Sequence, residues 1–208
     1  MTLTAALRPF GITLLLAGIP MATQAIEEPD YTVVRDLGEV EVRRYAPYVV
    51  AEVLVDGPAD KAGKQAFPIL AGYIFGKNKG ERKLPMTAPV MQSASPVKLE
   101  MTAPVKQSAA PGGYVVQFVL PKGMTLATAP EPDDQRVHIR EVPAAELAAI
   151  RYSGRWSQAN YSQHLERLQT TLRNSHVSWT GEPVYSRYNA PFTPWFLRRN
   201  EIWLTLQE

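Results

Sequence analysis

Two runs of this sequence, Val40–Val55 and Val137–Tyr152, carry the same pattern, and that pattern leaves few folds open. Each run consists of short apolar segments of strand length, followed by a stretch with helical spacing and then by further strand-like segments. Thr32–Tyr45 reads as two strands turning at Gly38, with Val40, Val42 and Arg44 alternating against Glu41, Arg43 and Tyr45. Tyr48–Val55 is a third, more buried strand, and Gly57-Pro58 breaks it. Ala62, Ala66, Ile69, Leu70 and Tyr73 then recur at helical spacing between Ala59 and Phe75. Pro68 lies inside that helix, where it cannot donate to the carbonyl of Lys64 and is expected to bend the axis. In the second run, Val137–Val142 and Glu146–Tyr152 are strands, and Ser153-Gly154 ends the latter. A helix over Gln158–Asn174 follows, placing Tyr161, Leu165, Leu168 and Leu172 on one face. Tyr114–Leu120, Val184–Tyr188 and Glu201–Leu206 are further strands. Two such halves join into one α+β domain, a sheet-rich sandwich or a distorted antiparallel barrel flanked by two helices.

The N-terminus carries a different pattern. Met1–Arg8 is a short segment whose one charged side chain is Arg8, and Phe10–Ile19 is apolar but well short of the roughly 20 residues of a spanning helix. Thr23-Gln24-Ala25 places small residues at the −3 and −1 positions of a cleavage site, so residues 1–25 are expected to be a secretory signal peptide and Ile26 the new N-terminus. The alternatives, an uncleaved anchor or a buried core helix, fit poorly with Pro20 and the small-residue flank. Nothing in 26–208 has the composition of a linker, so that stretch is expected to be one domain with no membrane span, in the periplasm or secreted.

Cysteine is absent from the whole sequence. An exported domain of this kind is therefore held by its core, without disulfides, a thiol nucleophile, thiolate-bound zinc, an iron–sulfur centre or a lipidated cysteine. Removing residues 1–25 takes away one cation, Arg8, and no acid, so the formal charge falls from +2 to +1. A near-neutral surface gives no footprint for nucleic acid and no polybasic membrane patch.

The most unusual stretch is a near-duplication. Lys83-Leu84-Pro85-Met86-Thr87-Ala88-Pro89-Val90-Met91-Gln92 recurs as Lys98-Leu99-Glu100-Met101-Thr102-Ala103-Pro104-Val105-Lys106-Gln107, with eight of ten positions identical at a spacing of fifteen. In extended conformation Met86, Ala88 and Val90 share one face, as do Met101, Ala103 and Val105. Prolines forbid a full ladder on both sides, so these strands are expected at an edge or bulged, forming a hairpin about Ser93-Ala94-Ser95-Pro96. Such an edge either pairs with a partner strand or merely lengthens a hairpin.

No constellation looks catalytic. The histidines, His138, His164 and His176, have no partner at metal-site spacing. Glu27-Glu28, Glu131 and Asp133-Asp134 sit in loops where solvation is the ordinary explanation. Ser153 and Ser157 lack the glycines of a nucleophile elbow, and Gly76-Lys77-Asn78-Lys79-Gly80 lacks the hydroxyl residue of a phosphate loop and reads as a turn. Near the C-terminus, Phe192, Trp195, Phe196 and Trp203 gather beside Arg198-Arg199. Those residues form either an aromatic rim for a flat carboxylate-bearing ligand or ordinary core with an arginine pairing Glu201, and the sequence favours neither.

Four segments together resemble one family. Met-Thr-Ala-Pro-Val at 86–90 and its copy at 101–105, Val40-Glu41-Val42-Arg43-Arg44-Tyr45, and Pro194-Trp195-Phe196-Leu197-Arg198-Arg199-Asn200-Glu201 are similar in order and spacing to the SOUL haem-binding proteins, and the doubled motif looks like their prokaryotic branch. The resemblance spans about residues 30 to 206. It implies a distorted antiparallel β-barrel of two similar halves, each carrying a helix. It also implies non-covalent binding of haem or another tetrapyrrole in a shallow apolar groove beside the first helix, for carriage, buffering or scavenging and without catalysis. The positions matching the family's proposed haem contacts are Lys64, Phe67 and Ala71, at i, i+3 and i+7 on one helix face. Lys64 would pair a propionate, Phe67 would cover a ring face and Ala71 would give apolar contact; Ala71 replaces the larger apolar side chain of animal members. The family has no agreed axial ligand. A general small-ligand or protein-partner module, not specific for haem, is the alternative reading.

Overall fold

The computed structural model describes residues 27–94 and 113–207. The proposed signal peptide, the expected cleavage site before Ile26 and the second copy of the duplicated motif lie outside these residues.

Nine strands and two helices follow in the order β1 (Tyr31–Asp36), β2 (Val40–Tyr45), β3 (Tyr48–Val55), α1 (Ala59–Ile74), β4 (Val90–Ala94), β5 (Tyr114–Val119), β6 (His138–Val142), β7 (Ala145–Tyr152), α2 (Gln158–Asn174), β8 (Trp179–Arg187) and β9 (Asn200–Leu206). All pair antiparallel in one sheet of order β1-β2-β7-β9-β8-β4-β5-β3-β6. From β2 to β6 this order reads the same in reverse when β2, β3, β4 and β5 are exchanged for β6, β7, β8 and β9. The half-repeat is therefore a pseudo-twofold centred between β4 and β8. Each half lends its first strand to the other, β2 to β7 and β6 to β3.

Strand alternation sorts the core onto two faces. On one face Ala62, Ala66, Leu70 and Tyr73 of α1 pack on Ala51 and Val53 of β3 and on Val116 and Phe118 of β5. Beside them Leu168 and Leu172 of α2 pack on Ala148 and Ile150 of β7 and on Ile202 and Leu204 of β9. The opposite face gathers Tyr45, Val50, Met91, Val119, Ala149, Tyr188 and Trp203 into one cluster. Its members come from β2 and β3, which are far apart in the sheet order, so the sheet curls about them as a distorted antiparallel barrel.

The duplicated motif is placed differently from the expected edge hairpin. β4 begins only at Val90, so Met86 and Ala88 precede the strand, Met86 41% exposed and Ala88 buried. Ser93 and Ala94, expected in a turn, continue β4. The strand is interior, with β5 on one side and β8 on the other. The physical reason is that Pro85 and Pro89 both fall before it, so neither removes a ladder donor. Pro183 is accommodated within β8, where pairing with β9 is interrupted between Thr180 and Val184. Among the described residues the sheet's edges are β1 and β6.

Candidate functional site

The three residues implied by resemblance share one flank of α1. This helix follows Pro58, whose extended backbone (φ −76°, ψ 151°) starts it without a side-chain cap, and it ends before Gly76 at φ 112°. Pro68 lies within a continuous helix. Lys64 is exposed and forms no ion pair among the described residues. Phe67, 39% exposed, stands edge-on to buried Phe118 of β5, with ring centroids 5.5 Å apart. Ala71, a full turn further, is 7% exposed. A half-open aromatic ring next to an unpaired cation suits a flat, apolar ligand with an acidic edge.

A second feature was not legible in the sequence. α1 covers β3 and β5, α2 covers β7 and β9, and β8 and β4 are left between them as the floor of a cleft of about 330 Å3. Both helices begin at its rim, α1 through Ala59 and Asp60 and α2 through Ser157 and Gln158. Ser157 caps α2, its hydroxyl accepting from Asn160 N at 3.3 Å. The walls are Tyr114, Trp156, Tyr161 and Tyr185, and Arg187 sits among them, its guanidinium carbon 4.8 Å from the ring centroids of both Trp156 and Tyr185. Trp156 is fixed by its indole N–H, which donates to Asn200 Oδ1 at 2.7 Å, and its ring also carries Arg198 at 4.2 Å. A Cβ at Gly63 of α1 would lie 2.9 Å from Arg187 Nη1, so only glycine lets the guanidinium seat there unmoved. Burial, then Tyr185 and Glu182, push the Tyr161 hydroxyl up to about 12, keeping it a neutral donor. Lys64, Phe67 and Ala71 are not among the cleft's lining residues. In the sequence only Tyr185 and Arg187, two apart on one strand face, hinted at it.

The C-terminal aromatic group divides. Trp203 is buried in the inner face of the barrel, whereas Phe192, Trp195 and Phe196 are exposed. Arg199 pairs Glu201 at 2.9 Å and Glu28 at 2.8 Å, which is the structural alternative of the two readings. Arg198 is held apart, donating to the carbonyls of Thr193 and Pro191.

Two of the family-like segments meet in a buried ionic knot. Glu201, fully buried, accepts from Arg43 Nη1 at 2.7 Å, Tyr188 Oη at 2.9 Å and Trp203 Nε1 at 2.8 Å. It thereby ties β2 to β9 across β7. Burial disfavours its carboxylate, but the hydrogen bond and charge of Arg43, then Arg199 and Trp203, outweigh burial and lower its pKa. Every oxygen is engaged, so the knot supports the fold and offers no group to a ligand.

Among the described residues no three His, Cys, Asp or Glu side chains gather as a metal site. His138 is exposed on β6, and His164 stacks on Tyr152 at 4.1 Å while its Nδ1 bonds the Asn160 carbonyl. No described helix is long and apolar enough to cross a membrane.

The chain is 28% identical to mouse Heme-binding protein 1 over 152 residues, 73% of this chain and 75% of that protein. It is 27% identical to human Heme-binding protein 2 over 189 residues, covering 88% and 87%. The crystal structure of the EcmrR C-terminal domain matches with a TM-score of 0.57 at 11% identity, covering 86% of this chain and 98% of that one. A hydrolase from Listeria innocua matches with a TM-score of 0.58 at 11% identity, covering 81% and 92%. These two share the fold alone. The family model described as SOUL heme-binding protein matches residues 26–205, and the chain belongs to that family.

Proposed function

We propose that this protein binds haem or a related tetrapyrrole non-covalently on the open flank of α1, for carriage, buffering or scavenging outside the cytoplasm. The observation that carries this reading is the pairing of an exposed, unpaired Lys64 with the half-open ring of Phe67 one turn away. Lys64 neutralises a propionate, Phe67 covers part of the macrocycle and Ala71 leaves room for its close approach. When bound, haem would supply an iron centre capable of redox chemistry; no residue here is assigned as its axial ligand. A ligand held by packing and one ion pair exchanges more readily than one fixed axially, which suits transfer better than turnover. The family membership supports the ligand class, and the three-part leader at residues 1–25 supports the location.

Titration of the mature protein with haemin is expected to shift the Soret band with saturation, and Lys64→Glu/Phe67→Ala is expected to weaken binding by about tenfold or more, the loss of one charge-assisted contact and one aromatic contact. No Soret shift at micromolar haemin would end the haem reading. In a bacterial host, the exported protein is expected to start at Ile26 by N-terminal sequencing; retention of an unprocessed chain in the cytoplasm would end the assignment outside it. The general small-ligand reading is favoured by one separate observation, the aromatic cleft over β8.

A further inference from the structure

We infer that the cleft between the starts of α1 and α2 is a second binding site, selective for a compact aromatic carboxylate held by Arg187. An aromatic cage such as Trp156, Tyr161 and Tyr185 ordinarily attracts a cation to its ring faces. Here the chain fills that position itself, with the Arg187 guanidinium lodged against both Trp156 and Tyr185. The charge preference of the cage is thereby reversed: an incoming cation meets a cation, and an incoming carboxylate meets an arginine.

Three observations point to a ligand. Arg187 has no carboxylate partner among the described residues, and its buried Nε has no hydrogen-bond partner there. Gln92, 7% exposed, donates through Nε2 to Ala59 O at 2.9 Å but leaves its buried Oε1 without a donor among the described residues. Unsatisfied buried groups of this kind are destabilising unless water or a ligand meets them. Thirdly, two helices of 16 and 17 residues start at the rim, so the positive ends of both dipoles reinforce the field of Arg187. Asp60 and Glu182 also line the cleft, but both are exposed and neither is paired with Arg187. The volume lies at the lower end of the roughly 300–1,000 Å3 that small-molecule sites use, which fits one or two fused rings. The ligand's carboxylate lies on the Arg187 guanidinium edge, its ring lies against the tyrosines, and Gln92 Oε1 takes a donor from bound water or a ligand hydroxyl.

The test uses three probes on the full mature protein: 2-naphthoate, neutral 2-naphthamide and cationic 2-(aminomethyl)naphthalene, followed by the indole N–H resonance of Trp156 in nitrogen-15 NMR. Naphthoate is expected to move that resonance and to bind about tenfold or more tighter than the amide, as one charge-assisted hydrogen bond gives. The cation is expected to bind weakest. Arg187→Gln is expected to erase the difference between naphthoate and amide, with the two-dimensional spectrum reporting that it folds. Equal binding of the three probes, preference for the cation, or naphthoate shifts that leave Trp156 unmoved would each overturn the proposal, and none of these requires the variant.

Discussion

At Glu201 four side chains converge on two carboxylate oxygens: Arg43, Arg199, Tyr188 and Trp203. Removing that charge leaves the buried guanidinium of Arg43, 3% exposed, with one remaining carboxylate partner, the half-exposed Glu41 at 2.7 Å. Breaking one partner of such a pair costs about 3–5 kcal/mol, although an apolar replacement of the whole group is often neutral. Glu201→Gln is therefore expected to lower urea stability by up to about that amount, since Glu41 still pairs Arg43. The sign with pH follows from the lowered pKa. The carboxylate adds stability above its ordinary value of 4.5 and loses that contribution as pH falls through its lower native value. Urea midpoints of the native protein are expected to drop as pH falls from 4.5 to that lower value, with a shallower drop for Glu201→Gln. Equal slopes would place the acid sensitivity elsewhere, for example at Asp134, which Arg136 holds down to about 2.

At the scale of elements, α1 shows how a local preference yields to a contact made elsewhere. Glycine in a helix interior is about 1 kcal/mol less favourable than alanine, yet Gly63 sits mid-helix because Arg187 occupies the space a Cβ would take. Gly63→Ala is expected to leave thermal stability unchanged or slightly raised, since the displaced atom is the end of a flexible side chain. The same variant is expected to weaken naphthoate binding several-fold, since a displaced guanidinium no longer lies in its place against the rings. A melting temperature that falls by many degrees would show that the seat of Arg187 supports the fold instead. β4 teaches a related point. Its prolines were visible in the sequence, but their effect depends on lying before Val90, a boundary that composition alone does not locate.

For the whole molecule the exchange of first strands decides how the halves depend on each other. β2 pairs over its full length with β7, and β6 pairs with β3, so neither half contains all the partners of its own strands. A half alone exposes strand edges and half of the inner cluster that joins Tyr45, Val119 and Trp203. Fragments 26–134 and 135–208 are expected to be unfolded singly by circular dichroism and to regain strand signal when mixed. Independent folding of either fragment would show that the exchanged strands are dispensable.

Most element bounds were legible because alternation and helical spacing are local properties: β3 and α2 fall on the residues their periodicity marks. The two-half architecture was legible for the same reason, since a repeated pattern demands a repeated unit. The flank of Lys64, Phe67 and Ala71 follows from helix geometry once the family resemblance selects those residues. The pairing of strands across halves was not legible, because which edge a strand meets is a long-range choice. Nor was the cleft, whose residues come from α1, β4, β5, the segment before α2, α2 itself and β8, and converge only where the two helices leave β4 and β8 uncovered. By itself the sequence determined the elements and the cysteine-free core that must hold them. Only the tertiary structure decided where Arg187 lies, because Trp156, Gly63 and Gln92 are distant from it in the chain and become its neighbours through sheet pairing and the packing of the helices on the sheet.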